Sequence, residues 1–128
     1  MTPETAAYLE RARQHLDRAR HLLDTLGYTE EAARAAYLAA FHAAQALIFA
    51  RTGRTVKSHS GLRSAFAQVT RHDPTIDREH TRFLARAYKF KEIADYGVGS
   101  GASVQIAEAD EMIETARRFV DIVAMILT

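Results

Sequence analysis

The stretch EEAARAAYLAAFHAAQALIFARTG, residues 30–53, decides the fold. Tyr37, Phe41, Ala44 and Ile48 recur at helical spacing and mark one apolar face. Leu38, Ala46 and Phe49 lie well off that face, so the helix has no polar side. Such a helix must be covered all round, either by the rest of a bundle or by a partner subunit. Its small alanines admit close approach of a neighbouring helix. Thr29 ahead of Glu30 and Glu31 predicts an N-cap with carboxylates on the positive end of the dipole. Gly53 predicts the stop.

Helical periodicity continues on both sides. Upstream, Tyr8, Leu9, Ala12, Leu16, Ala19, Leu22, Leu23 and Leu26 predict a helix from about Pro3 to Leu26, closed by Gly27. Downstream, Ser58 or Ser60 can cap a third helix that reaches about His72. Pro74 and Thr75 open a fourth, about Ile76 to Tyr96, with Phe83, Ala87, Phe90 and Ala94 inward. GVGSGAS, residues 97–103, reads as a loop with no phosphate-loop lysine after it. Ile106, Ala109, Met112, Ile113, Ala116, Phe119, Val120 and Val123 form the seam of a last helix, about Gln105 to Leu127. No stretch alternates as a strand does. The expectation is all-α: an antiparallel bundle of four or five helices forming one domain over residues 1–128. The apolar circumference of residues 30–53 adds a hint of a dimer.

At 128 residues the chain is long enough to bury a core without staples. It has no cysteine, which removes disulfides and thiolate metal sites. The amino terminus is charged throughout and lacks the apolar run of a signal peptide, and no apolar stretch is long enough to span a bilayer. A cytoplasmic protein without membrane contact is expected. The net charge is only +1, yet residues 51–91 carry ten basic and three acidic side chains. Residues 92–128 carry two basic and seven acidic ones. The basic middle suits a polyanion, and it is also accounted for by a solvated face balanced by the acidic last helix. Within it, Arg78, Arg82, Arg86 and Lys89 follow one another at helical spacing as a basic stripe.

That segment opens with RTGRTVKSHSG, residues 51–61. Arg54 stands four intervening residues ahead of His59, with Lys57 between them and Ser58 and Ser60 flanking the histidine. An arginine and a histidine together suit cleavage of a phosphodiester without a metal. A neutral imidazole, with a pKa of about 6.5, can take a proton from a ribose 2′-hydroxyl or return one to the leaving oxygen. A guanidinium stays charged and forks onto the non-bridging oxygens as negative charge builds there. One histidine supplies one of the two proton transfers, and a two-fold dimer with two such loops face to face supplies both. Spacing alone is unspecific. Among 14 arginines and six histidines it arises by chance on the order of once or twice, and a solvated turn with a capping histidine also explains it. No HExxH, His-carboxylate cluster or histidine pair at i, i+4 predicts a metal site, and no Gly-x-Ser-x-Gly elbow occurs. His42 reads as a hydrogen-bonded interior residue, and the aromatic residues read as core.

Three stretches in order, AAYLAAFHAAQALIFARTG (35–53), KSHSGLRSAF (57–66) and KEIADYG (91–97), resemble the HEPN domains and, within them, a small stand-alone group. The resemblance covers about residues 5–127. It implies a compact helical bundle that dimerises and needs no cofactor. For many members it implies a metal-independent RNase whose Arg-x4–6-His motifs meet across the dimer, often a toxin beside a nucleotidyltransferase antitoxin. By position Arg54 and His59 match the catalytic motif, with Arg51 competing for the arginine's place. Lys57 and Ser58 belong to the turn of the subgroup, and Asp95 and Tyr96 match its second signature. The expected reading is a HEPN-like ribonuclease that leaves 2′,3′-cyclic phosphate ends, with Arg51, Lys57, Ser58, Arg82 and Arg86 contacting the RNA. The alternative is a noncatalytic module that binds a nucleotide or a nucleotidyltransferase through the same basic loop.

Overall fold

The computed structural model describes residues 1–97 and 103–128, so the expected loop 97–103 falls largely outside the described residues. Its helices are α1 (Pro3–Asp24), α2 (Thr29–Thr52), α3 (His59–Val69), α4 (Arg78–Tyr96) and α5 (Ile106–Leu127). No strand occurs among the described residues.

Most boundaries follow from local chemistry. Pro3 opens α1, where its missing N–H costs nothing, and the Thr2 hydroxyl accepts from the Thr5 N–H at 3.2 Å. Gly27, at φ 70°, turns the chain into α2. Three expected boundaries are corrected. Tyr28, not Thr29, occupies the N-cap of α2 and gives no side-chain cap, so the start of that helix relies on Glu30 and Glu31 at the dipole. α3 ends at Val69 rather than near His72, where the Thr70 hydroxyl turns back onto the Phe66 carbonyl at 2.7 Å. Pro74 does not open α4. Asp77 does, accepting from the Glu79 N–H at 2.9 Å in a capping box shared with His80.

α2 is the central helix and packs on α1, α5, α4 and α3. Fourteen of its 24 residues are buried within this one chain. Ala32, Ala33, Ala36, Ala39, Ala40 and Ala43 are fully buried; having only a Cβ, they let the neighbouring helices lie close. The apolar circumference that hinted at a partner is therefore covered by the chain's own bundle. On the outside, Arg20 of α1 binds Asp110 and Glu114 of α5, each at 2.7 Å. Phe66, Phe83 and Phe119 join α3, α4 and α5, with ring centroids 5.2 and 6.2 Å from Phe119. This places the start of α3 against the middle of α2 and the second half of α4.

Candidate active site at the start of α3

The connection from α2 to α3 is held by its alternate residues. Gly53 adopts φ 71°, a left-handed C-cap that L side chains rarely take. Thr55 bonds Tyr8 of α1 at 2.8 Å, and the Gln45 amide donates to the Val56 carbonyl at 2.9 Å. Arg54 and Lys57 are left exposed, and among the described residues neither side chain has an ion-pair partner. Ser58 caps α3 by accepting from the Gly61 N–H at 3.1 Å. A Cβ on Gly61 would lie 2.5 Å from that Ser58 oxygen, so the cap requires glycine there.

His59 is the first residue of α3 and is half-buried. Its Nδ1 lies 2.5 Å from the hydroxyl of Tyr37, a residue of α2 that is 1% exposed. The ring packs among aromatic neighbours, with centroids 4.4 Å from Tyr88 and 5.4 Å from both Phe41 and Tyr37. Nε2 has no hydrogen-bond partner among the described residues and is open to solvent. Burial, then the charge of Lys91, with a smaller push from Arg63, holds the imidazolium below the ordinary histidine range; Glu92 and Asp95 oppose this. At neutral pH the ring is therefore uncharged. Burial raises the Tyr37 phenol above the usual tyrosine range, so it keeps its proton.

Positive charge surrounds this ring. The Arg63 guanidinium and the Lys91 ammonium each lie 5.7 Å from the Tyr88 centroid. Asp95 fixes Lys91 at 2.7 Å and accepts from Arg34 of α2 at 2.9 Å, which ties α4 to α2. Its bond to Lys91 is the main reason its carboxyl titrates below the usual range. Tyr96 is 71% exposed, with the Lys91 ammonium 5.8 Å from its ring.

The sequence-predicted residues thus separate into groups. His59, Ser58, Asp95 and Tyr96 gather at one corner of the bundle, with Arg54 and Lys57 on the loop leading into it. Arg51 points elsewhere: it binds the Val69 carbonyl at 3.1 Å and Asp73 at 3.3 Å, at the far end of α3. Arg82 pairs with Glu79 at 2.6 Å and Arg86 with Glu111 of α5 at 3.1 Å. At about 100° per residue, both lie roughly 120° or more around α4 from Tyr88 and Lys91. Tyr37, Arg63, Tyr88 and Lys91 were not singled out as site residues by sequence reasoning. The one available signal was that Tyr37, Arg63 and Lys91 fall inside the three HEPN-like stretches. Among the described residues no group of three or more His, Asp or Glu side chains is arranged to hold a metal. No helix among them is long and apolar enough to cross a membrane.

A helical bundle with a neutral histidine held at a basic interhelical turn is the class of protein that fold and site define. The chain matches the HEPN domain over residues 5–126 and belongs to that family. A UPF0332 protein of Gloeobacter violaceus is 33% identical over 122 residues, covering 95% of this chain and 94% of the relative. A protein of Methanocaldococcus jannaschii named "Putative toxin MJ0605" is 30% identical over 118 residues, covering 92% and 84%. The crystal structure of TT1696 from Thermus thermophilus shares the fold, with a TM-score of 0.82 at 24% identity over 97% of this chain and 98% of that one.

Proposed function

We propose that the chain is a metal-independent endoribonuclease of the HEPN type, the toxin half of a pair whose antitoxin is a nucleotidyltransferase. The observation that carries this reading is His59: an uncharged imidazole, anchored through Nδ1, with Nε2 open to solvent beside Lys91 and Arg63. A neutral imidazole next to cations that attract a phosphate suits the proton transfers of transesterification by a 2′-hydroxyl. Arg54 stabilises the phosphorane from the exposed loop. Two protomers related by a two-fold axis set two such corners face to face and supply both proton transfers. Lys57 and Ser58 line the approach. The Arg82 and Arg86 stripe contacts RNA only where a strand continues around α4. The name of the Methanocaldococcus jannaschii relative supports the toxin role.

Purified protein is expected to cut single-stranded RNA in EDTA and leave 2′,3′-cyclic phosphate ends. His59→Ala, with an unchanged helical circular-dichroism spectrum, is expected to lose about a hundredfold or more of that activity. Equal cleavage by the variant removes the proposal. A thermal shift with nucleotides but no cleavage at any protein concentration establishes the noncatalytic module instead.

A further inference from the structure

The contact between Tyr37 and His59 says more than that the ring is anchored. The Tyr37 hydroxyl is buried and protonated, and a buried O–H needs an acceptor for its hydrogen. Among the described residues its one hydrogen-bond partner is His59 Nδ1. The Tyr37 ring itself packs against Phe41 and Tyr88, with ring centroids 5.9 and 5.7 Å from its own. Were Nδ1 to carry the hydrogen and donate to the phenol oxygen, the phenolic hydrogen would have no acceptor among the described residues. We infer that Tyr37 is a positioning residue: its O–H donates a hydrogen bond to His59 Nδ1 and fixes the neutral ring in the tautomer whose hydrogen sits on Nε2.

The ionisable groups that face the ring are Tyr37 from α2, Arg63 from α3, and Tyr88, Lys91, Glu92 and Asp95 from α4. Those other than Tyr37 act on the ring through space, and Tyr37 alone bonds it among the described residues. The consequence for chemistry rests on the nuclease reading. In its resting form His59 offers an N–H at Nε2, a donor for a non-bridging phosphate oxygen. It offers no lone pair there for a 2′-hydroxyl proton. To act as base through Nε2, the ring must first carry its hydrogen on Nδ1, which turns the Tyr37 oxygen from donor to acceptor. Tyr37 therefore sets which proton transfer is easy.

The tautomer is read directly by long-range proton–nitrogen correlation spectra of the full chain labelled with 15N-histidine, well above the ring's titration. His59→Gln identifies the peaks. Wild-type Nε2 is expected to show the protonated shift and Nδ1 the unprotonated one, with a tautomer ratio roughly fivefold to tenfold above that of free histidine in the same buffer. Tyr37→Phe is expected to bring the ratio within about twofold of free histidine, since the donor is gone and the ring shape kept. A wild-type ring protonated on Nδ1 overturns the inference, and so does a Tyr37→Phe ratio equal to wild type. Should that variant fail to fold, the wild-type spectrum still decides. No substrate enters the measurement, so a protein that cuts no RNA yet shows this tautomer loses the nuclease reading and keeps the role of Tyr37.

Discussion

Arg51 and Arg54 stand three residues apart, and Gly53 between them sends their side chains to different tasks. Arg51, still in α2, is committed to the Val69 carbonyl and Asp73. Arg51→Ala is expected to lower stability by about 0.5–1 kcal/mol, since the pair is partly exposed, and to leave RNA cleavage intact. Arg54→Ala should do the reverse, keeping the melting temperature and losing about a hundredfold in cleavage. Melts and RNase assays on both variants decide it; the opposite pattern makes Arg51 the functional arginine. A second residue-scale effect lies at His15. Its Nδ1 is buried without a hydrogen-bond partner among the described residues, and its ring stacks on His42 at 5.2 Å. Burial, then the positive field of His42, Arg18, Arg11 and Arg34, lowers its pKa to about 4. The folded value lies below the unfolded one of about 6.5, so the unfolded chain takes up the proton first. The stability from keeping this ring neutral is fully present above about 6.5 and is lost as pH falls toward about 4. His42 acts in the same direction. Urea midpoints should drop between pH 7.5 and 4.5, and His15→Phe should flatten the difference. An undiminished drop in that variant clears His15. At this scale the pairing of Arg54 with His59 was legible as a candidate because both belong to one short segment. The parts of Tyr37 and Lys91 were not legible, because they act on His59 from 22 and 32 positions away, by a hydrogen bond and by charge.

Among the elements, α3 is short and the proposed site lies at its start, so its cap matters most. Ser58→Ala removes the acceptor for the Gly61 N–H and is expected to cost about 1 kcal/mol. Gly61→Ala should be costly in the wild type, because its new Cβ would meet the Ser58 oxygen at 2.5 Å. In the Ser58→Ala background that oxygen is gone, and Gly61→Ala should be far milder, helped by alanine's better helix propensity of about 1 kcal/mol. A double-mutant cycle by urea denaturation checks the coupling, and simple additivity would contradict it. Sequence reading named Ser58 as one of two caps; the geometry shows why it is chosen, with Gly61 three residues on. α4 teaches the converse. Its basic stripe was legible from spacing, but which side of the helix faces His59 was not. That depends on how α4 is rolled against α2, set by Phe83, Leu84 and Ala87 buried beneath it.

For the whole molecule, α2 is an alanine-lined axle, and its neighbours lie as close as a Cβ allows. Ala40→Leu, at a fully buried position, is expected to destabilise by about 1–3 kcal/mol or more through overpacking, read as a lowered urea midpoint. A neutral outcome would mean that the helices packed around α2 can move apart at little cost. The oligomeric state is open to the same kind of check. Sedimentation of the full chain is expected to give a dimer, and a monomer that cleaves RNA would show that one corner suffices. By itself the sequence determined the five helices and the segment that carries the histidine, because helix periodicity, caps and glycine stops are written within a few residues of one another. Only the tertiary structure decided that α2 is enclosed by its own chain, that Arg51 bonds the far end of α3, and that His59 meets Tyr37 and Tyr88 within the field of Lys91. Those outcomes depend on how helices distant in the chain roll against one another, and close packing, not local spacing, fixes that.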